Sequence, residues 1–410
     1  MNKLGSDLIR VGNPIPFDCY DGQGTLILHS GIVIDSPTQL EFLLGRGLFA
    51  KEDPSPLLLV DVAEVKPISP FQQLSDFYLR FESIVNQAGS RLTAQDDSAI
   101  LASSTATRQL TAFMEGAQAA INDGGREELN PFAGQLLLLA KDIQVLCQQD
   151  TDATLGALHL GKLAHFGERY SIVHALSRAV VCELLALRRR IPERIRRQLI
   201  AAALTCDISI LELQDELIAQ AGPLRPEQQL QIAEHPYASV NLLASYGVVD
   251  PGWTNAIIQH HELPSGKGYP AGLAGDGITA WGRMLKLADA YAAMSYPRAY
   301  RRNLLSKAVL REVFLKRVSE FDEELSLQFF KELGMFPPGV FVKLKSGETA
   351  LVIRRETNPR APLVKVIVGP RGAPMTSPLT RKTDTRDFEI VDVLEPVATV
   401  EIDLDNLWGY

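Results

Sequence analysis

The stretch HHELPSGKGYPAGL at residues 260–273 carries the most specific pattern in this 410-residue chain. It opens on two adjacent histidines, His260 and His261, and continues with a segment rich in glycine and proline. Neighbouring side chains on a helix point about 100° apart, so two adjacent imidazoles reach one site only near a helix end. The glycines and prolines predict such an end here. A histidine doublet alone is more often a chance surface pair, so its interpretation depends on the rest of the chain.

Four further residues with metal-ligand chemistry lie in helical patterns nearby in the sequence: His174, Asp207, His235 and Asp289. Asp207 and Asp289 each interrupt an otherwise apolar segment, where an unpaired carboxylate would be costly to bury. Taken singly, each aspartate is better explained as a capping or salt-bridged residue. Two aspartates and four histidines together indicate a site for divalent metals, because imidazole and carboxylate are their common ligands.

A cluster of arginines follows Asp289 beside Pro297. Guanidinium groups match the oxygens of a phosphate, so Arg298 and Arg301 are candidates for binding one. A solvated helix start explains the same cluster equally well without further context.

In this order the pieces resemble the HD-GYP family of phosphohydrolases, over roughly residues 150–335. The stretch from His260 through the motif Gly268, Tyr269 and Pro270 resembles the family's namesake segment. His235-Pro236 resembles its His-Pro helix, and His174 lies in a segment similar to its first ligand helix. The ordered combination is far more specific than any one piece.

The resemblance implies a helical bundle around divalent metals, usually iron or manganese, that hydrolyses cyclic di-GMP with metal-activated water. Two ions are expected, or one if the site near Cys206 is lost. By position, Asp207 would bridge the metals and be the catalytic residue. His235, His260 and His261 would complete one metal site, and His174, Asp289 and position 206 would serve a second. Arg298 and Arg301 would face the substrate phosphate.

Several positions depart from the family pattern. Cys206 stands where the His-Asp doublet has histidine, and Ile210 stands where a phosphate-facing lysine is expected. Tyr170 replaces a glutamate four residues before His174, although Glu168 is close, and Ser265 takes the place of the aspartate in the usual Asp-Gly pair. A thiolate binds iron or zinc, so Cys206 is a candidate replacement ligand, and a small buried thiol is the slightly favoured alternative.

Three functional hypotheses remain open from the sequence. The first is an active phosphodiesterase for cyclic di-GMP or a related cyclic dinucleotide. The second is a weakened or inactive relative that senses the dinucleotide or serves as a scaffold for signalling partners. The third is a hydrolase of other phosphate esters.

The predicted fold is multidomain and mainly α, an HD-type helical bundle flanked by small β-rich modules. The expected regions are a β-rich N-terminal module at 1–65, a helical region at 71–150, the HD-GYP-like domain at 151–335 and a barrel-like β-module at 336–410. Strands are predicted at 25–28, 31–35, 340–344, 349–353 and 364–368. A short helix is predicted to begin at Ser36. The proline pair before Gly339 is expected to end the last helix. The helices at 71–150 are a candidate homodimer surface.

The composition excludes several other classes. The formal net charge of −8 argues against a DNA-binding protein, which needs a basic face. The four cysteines, Cys19, Cys147, Cys182 and Cys206, form no paired pattern and indicate free thiols in a reducing cytoplasm. No apolar run suggests a signal peptide or a membrane span. We therefore expect a cytoplasmic bacterial signalling protein.

Overall fold

The computed structural model describes residues 2–3, 18–28, 47–50, 68–95, 131–160, 169–295, 320–394 and 403–410, with single residues and a short piece between 32 and 45. The chain divides into two compact units, Met1–Pro67 and Ile68–Tyr410.

The first unit contains a small antiparallel sheet in the order β1-β4-β2-β3. Its strands are β1 Asn2–Lys3, β2 Cys19–Tyr20, β3 Leu26–Leu28 and β4 Phe49–Ala50. Cys19, Ile34 and Leu48 form its core. The strand predicted at 25–28 is confirmed, whereas the strand at 31–35 and the helix start at Ser36 lie mostly outside the described residues.

The second unit is mainly helical, so the predicted fold class is confirmed. Its helices are α1 Pro70–Gln95, α2 Pro131–Gln149, α3 Thr151–Leu160, α4 Tyr170–Arg188, α5 Glu193–Thr205, α6 Leu211–Ala219, α7 Pro226–Ser245, α8 Pro251–Gln259, α9 Ala280–Met294, α10 Glu323–Leu333 and α11 Leu404–Trp408. Side-chain caps fix several starts: Asp250, Thr279 and Asp322 accept hydrogen bonds from the backbone N–H groups of Trp253, Gly282 and Leu325.

Helix α4 lies at the centre of this unit and packs against α5 and α9. Nearly all of its side chains are buried, which agrees with a sequence that has apolar residues on every face of the helix. Among the described residues it is the one helix long and apolar enough to cross a membrane, and 89% of that apolar window is buried inside the protein, as in the core helix of a bundle.

The C-terminal part of this unit is a five-stranded antiparallel sheet in the order β8-β7-β6-β5-β9. Its strands are β5 Phe341–Leu344, β6 Thr349–Arg354, β7 Leu363–Val368, β8 Pro374–Lys382 and β9 Ile390–Leu394. The three predicted strands are confirmed. Strands β8 and β9 form the two edges and do not pair with each other, so the described residues form an open sheet rather than the expected barrel. Helix α10 ends at Leu333, shortly before the proline pair, and Gly334 directly after it adopts a positive φ of 71°.

Polar contacts join the sheet to the helices. Asp150, directly after α2, accepts hydrogen bonds from both terminal nitrogens of Arg354 and, at 2.9 Å, from the Tyr410 hydroxyl. Trp408 packs against the core, and its indole N–H donates to the Ile353 carbonyl at 3.1 Å. The end of the described chain is therefore anchored to the bundle and the sheet.

His159, on α3, makes a second polar link. Its Nδ1 lies 2.6 Å from the Pro338 carbonyl oxygen and its Nε2 lies 2.6 Å from the Tyr291 hydroxyl. With Nδ1–H donating to the carbonyl, Nε2 accepts from the hydroxyl, so the neutral ring satisfies both partners. Burial lowers the pKa of His159.

This link predicts a pH-dependent difference between the protein and its His159→Gln variant. A folded-state pKa below the unfolded value means that the contribution of His159 is complete above about pH 6.5 and declines as the pH falls, by at most about 1.4 kcal/mol per pH unit. We therefore expect His159→Gln to destabilise the protein more at pH 7.5 than at pH 5.5. Urea unfolding of both proteins across this range measures the difference, and a destabilisation that grows towards acid pH would contradict the prediction.

Candidate metal centre

The predicted ligands come from five separate parts of the bundle. His174 lies on α4 and Asp289 on α9, while Asp207 lies in the turn that follows α5. His235 lies within α7, and His260 follows α8 directly as its C-cap residue. The helix end expected from residues 260–273 is therefore confirmed, and it allows His260 and His261 to face the same centre.

Two groups of candidate ligands share Asp207. The first, called here the histidine group, contains Asp207, His235, His260 and His261. The second, the carboxylate group, contains His174, Asp207 and Asp289. Within each group one ligand atom per residue lies within 4.8 Å of the others. The structure thus brings together six of the seven predicted metal ligands.

The histidine group has the donor chemistry of a metal site. Nδ1 of His235 lies 2.6 Å from the Ile232 carbonyl oxygen, and Nδ1 of His260 lies 2.6 Å from that of Ile257. Both Nδ1 atoms therefore carry the proton in the neutral rings, which leaves both Nε2 lone pairs free. Carbonyl acceptors on the far nitrogen are typical of metal-bound histidines.

These lone pairs converge on one another. The two Nε2 atoms are 3.2 Å apart, and they lie 3.2 Å and 3.6 Å from Oδ1 of Asp207. Burial lowers the pKa of His260 and holds the pKa of His261 well below its usual value, so these rings stay neutral. Unprotonated acceptors gathered at this distance repel one another unless a cation lies between them. The residues present therefore fit a divalent metal.

The glycine-rich segment supports the histidines from one side. The Tyr269 ring stacks on His261 with 4.6 Å between ring centroids. Glu262 is buried, and its carboxylate accepts hydrogen bonds from the backbone N–H groups of Ala271 at 2.7 Å and Leu273 at 3.0 Å. At Gly268, a Cβ atom would lie 2.4 Å from the Leu263 backbone nitrogen, so only glycine fits. Gly268 and Tyr269 of the motif thus pack against His261 and the backbone next to it.

A comparison with known families agrees with this geometry. Residues 161–325 match the family model described as HD domain. The chain contains an HD domain.

Known relatives of the HD domain extend the comparison. The cyclic di-GMP phosphodiesterase PA4108 of Pseudomonas aeruginosa is 26% identical over 205 residues, covering 50% of this chain and 49% of that protein. The cyclic di-GMP phosphodiesterase PdeB of Borreliella burgdorferi is 22% identical over 208 residues, covering 50% and 55%. The solved structure of Bd1817, described as an HDG"Y"P protein from Bdellovibrio bacteriovorus, matches with a TM-score of 0.40 and 15% identity, covering 80% of this chain and 97% of that one.

The family resemblance seen in the sequence is confirmed by the HD-domain model and by the two phosphodiesterases. The chain spans about half the length of the curated relatives that it matches.

The carboxylate group of the HD domain has a different character, because a buried arginine lies inside it. Nη1 of Arg178 donates to Oδ2 of Asp207 at 2.5 Å and to Oδ1 of Asp289 at 2.7 Å. Nε2 of His174 also contacts Oδ1 of Asp289, at 2.9 Å. Both aspartates are thus already paired within the protein.

These contacts hold both carboxyls in their charged form. Burial alone would favour the protonated acids, but at Asp207 the charge of Arg178 and the contacts with His235 and His260 together outweigh it and keep the pKa of that carboxyl well below its usual value. At Asp289, burial is outweighed by the hydrogen bond from His174 and by Arg178, and the pKa is again lowered. The HD domain therefore contains one buried carboxylate, Asp207, and one partly buried carboxylate, Asp289, next to one guanidinium.

Cys206 does not join either ligand group in the structure. Its Sγ is fully buried and lies 4.0 Å from the Ala203 carbonyl oxygen. Burial holds the pKa of the Cys206 thiol well above its usual value, which disfavours the thiolate that binds metal. This arrangement favours the interpretation of Cys206 as a space-filling thiol.

Other departures from the family pattern also have defined places. The Tyr170 hydroxyl lies 3.3 Å from Nδ1 of His174, and the two rings stack, so this tyrosine supports the histidine rather than providing a carboxylate. Ile210 is the residue before α6 and brings no charge to the centre. Ser265 forms an isolated β-bridge with Ala274. The predicted phosphate-binding residues Arg298 and Arg301, and Glu168, lie outside the described residues.

Sequence reasoning missed two residues that contact Asp207. Arg178 is one, and Gln214 is the other, whose Nε2 donates to Oδ2 of Asp207 at 2.8 Å. The signal for Arg178 was its position four residues after His174 in an apolar helix, since residues four apart lie on the same helical face.

Proposed function

We propose that this chain is a bacterial signalling phosphodiesterase whose HD domain hydrolyses cyclic di-GMP, or a related cyclic dinucleotide, with metal-activated water. The observation that carries this proposal is the histidine group, in which unprotonated imidazole nitrogens surround an ionised aspartate. The names of the curated relatives support the substrate class. We also propose a cytoplasmic location, which the unpaired pattern of the four cysteines in the sequence supports.

The residues of the histidine group have separable roles in this reaction. His235 and His260 would bind a metal through Nε2, with their Nδ1–H groups fixed by backbone carbonyls, and His261 would complete the site. A divalent ion there would lower the pKa of bound water and stabilise charge on the phosphoryl oxygens. Imidazole and carboxylate donors together suit iron or manganese.

Asp207 would act as a charged ligand. Its pKa is held well below the usual range, so it is a poor acceptor for a proton at neutral pH. Its Oδ1 faces the two histidines, while its Oδ2 is bound by Arg178 and Gln214. Asp207 therefore links the two ligand groups and would hold a metal through Oδ1.

The test is a hydrolysis assay on the purified full chain with added Fe(II) or Mn(II). We expect cyclic di-GMP to be converted into the linear dinucleotide or GMP, and chelation by EDTA to lower the rate at least about 100-fold. Separate assays with cyclic di-GMP and with a mixed GMP–AMP cyclic dinucleotide define the base preference. Tight binding of cyclic di-GMP without turnover, in protein that contains metal, would instead identify a sensor and overturn the proposed reaction.

A further inference from the structure

Arg178 is a charged residue whose side chain is fully buried in the bundle. It follows His174 by one helical turn on α4, and it is the largest of the fully buried side chains among the described residues. Its Nε donates to the Ala203 carbonyl oxygen at 2.7 Å, which fixes the plane of the guanidinium against α5. A buried charge of this kind requires paired partners.

Its partners are the two carboxylates that a second metal would have to share. One nitrogen, Nη1, lies 2.5 Å from Oδ2 of Asp207 and 2.7 Å from Oδ1 of Asp289. A metal bound to the same oxygens would lie about 2.0–2.2 Å from each, in nearly the same volume. A guanidinium and a divalent ion therefore cannot occupy this position together.

The third member of the carboxylate group is also engaged. Nε2 of His174 lies 2.9 Å from Oδ1 of Asp289, the same oxygen that Nη1 of Arg178 contacts. Every member of the carboxylate group is therefore already engaged by another member or by Arg178. In the histidine group, by contrast, the Nε2 atoms of His235 and His260 face one another.

The two groups thus differ in whether a cation is already present. The lone pairs of the histidine group face one another without a cation, whereas the carboxylate group already has the guanidinium of Arg178 as its cation. Among the described residues, Nη2 of Arg178 has no hydrogen-bond acceptor, which leaves one buried donor for a water or phosphate oxygen that enters the centre.

We propose that the guanidinium of Arg178 takes the place of a second metal ion, so that the HD domain binds one divalent ion in its histidine group. This inference rests on the proposed function for the identity of the centre, but metal stoichiometry is measured without turnover. The family resemblance implies two ions, whereas this inference gives one. The guanidinium of Arg178, rather than the cysteine at position 206, accounts for the missing second ion.

The first experiment measures metal by elemental analysis after equilibrium dialysis against Mn(II). We expect one ion per chain in the wild-type protein and a rise towards two in Arg178→Met, which removes the charge and frees the carboxylates. Arg196→Met is the matched control, because Arg196 is another buried arginine, paired with Glu183 at 3.0 Å away from the ligand groups. This control is expected to stay at one ion. An Arg178→Met variant that also stays at one would overturn the claim that the guanidinium excludes the second ion.

A second measurement uses only the wild-type protein, so the inference does not depend on the folding of a variant. Electron paramagnetic resonance of the Mn(II)-loaded chain is expected to show an isolated ion, without the exchange-coupled signal of two neighbouring ions. Two ions per chain with a coupled signal would overturn the inference and leave the proposed hydrolysis intact. One ion per chain without hydrolysis would support the inference and overturn the proposed function, whereas a chain that binds no ion would overturn both.

Discussion

The His260→Ala variant is expected to lose metal and hydrolysis together. His260 contributes a buried imidazole whose Nε2 lies 3.2 Å from that of His235 and 3.6 Å from Oδ1 of Asp207. Changes to the outer partners of metal ligands already cost about 10–100-fold in metal affinity or activity. Loss of a ligand should therefore lower the affinity for Mn(II) and the rate of cyclic di-GMP hydrolysis by at least about 100-fold.

Isothermal titration with Mn(II) and chromatographic detection of the products measure the two effects. His159→Gln is the control, because His159 is a partly buried histidine that contacts Pro338 and Tyr291 outside the ligand groups. It is expected to keep its metal affinity. If His260→Ala retained wild-type metal affinity and turnover, the histidine group would not be the catalytic centre.

Gly268→Ala is expected to have the second large effect, on the structure of the motif segment. The added Cβ would lie 2.4 Å from the Leu263 nitrogen, 2.5 Å from the Glu262 Cα and 2.6 Å from the His261 carbonyl oxygen. These are backbone atoms, so no side chain can rotate away to make room. Overpacking of this kind typically costs about 1–3 kcal/mol of unfolding free energy.

The displacement should also reach the metal ligands. Tyr269 follows Gly268 directly and stacks on His261, so a moved segment would lose this contact and weaken metal binding. Gly277→Ala is the control in the same segment, because its Cβ would make only ordinary contacts, at 3.9 Å and beyond, with Leu273. Denaturant unfolding and Mn(II) titration of both variants test the prediction. Equal stability and metal affinity in Gly268→Ala and Gly277→Ala would contradict it.

The histidine group could be predicted from the sequence because its ordered motifs resemble those of the HD-GYP family. The doublet at His260 lies at a helix end, and the glycines and prolines that follow it do not continue a regular helix. Helical periodicity in turn predicted the mainly α second unit, since apolar residues three and four apart define buried faces. Strand β8 was missed because its side chains are mostly exposed and it contains Pro374 and Pro378.

The three members of the carboxylate group were expected from the family resemblance, but the place of Arg178 among them could not be predicted. Whether Arg178 points towards solvent, another helix or the centre depends on where α5 and α9 place Asp207 and Asp289. That is a tertiary relation between residues far apart in the chain, and no local pattern encodes it. Cys206 was a candidate ligand because it stands at the histidine position of the family's His-Asp doublet, with a space-filling thiol as the slightly favoured alternative. Adjacent side chains after a helix need not face the same way, and the Cys206 thiol faces the Ala203 carbonyl.

The internal pairing of Arg178 has a consequence for how the protein is made. Many metal sites built around several carboxylates are unstable when empty, so the chain must acquire its ion in order to fold. Here the guanidinium offsets part of the negative charge that Asp207 and Asp289 bring into the bundle. In a newly synthesised chain the carboxylate group can therefore pack before an ion arrives, so the dependence of folding on the supply of metal in the cell would be limited to the histidine group.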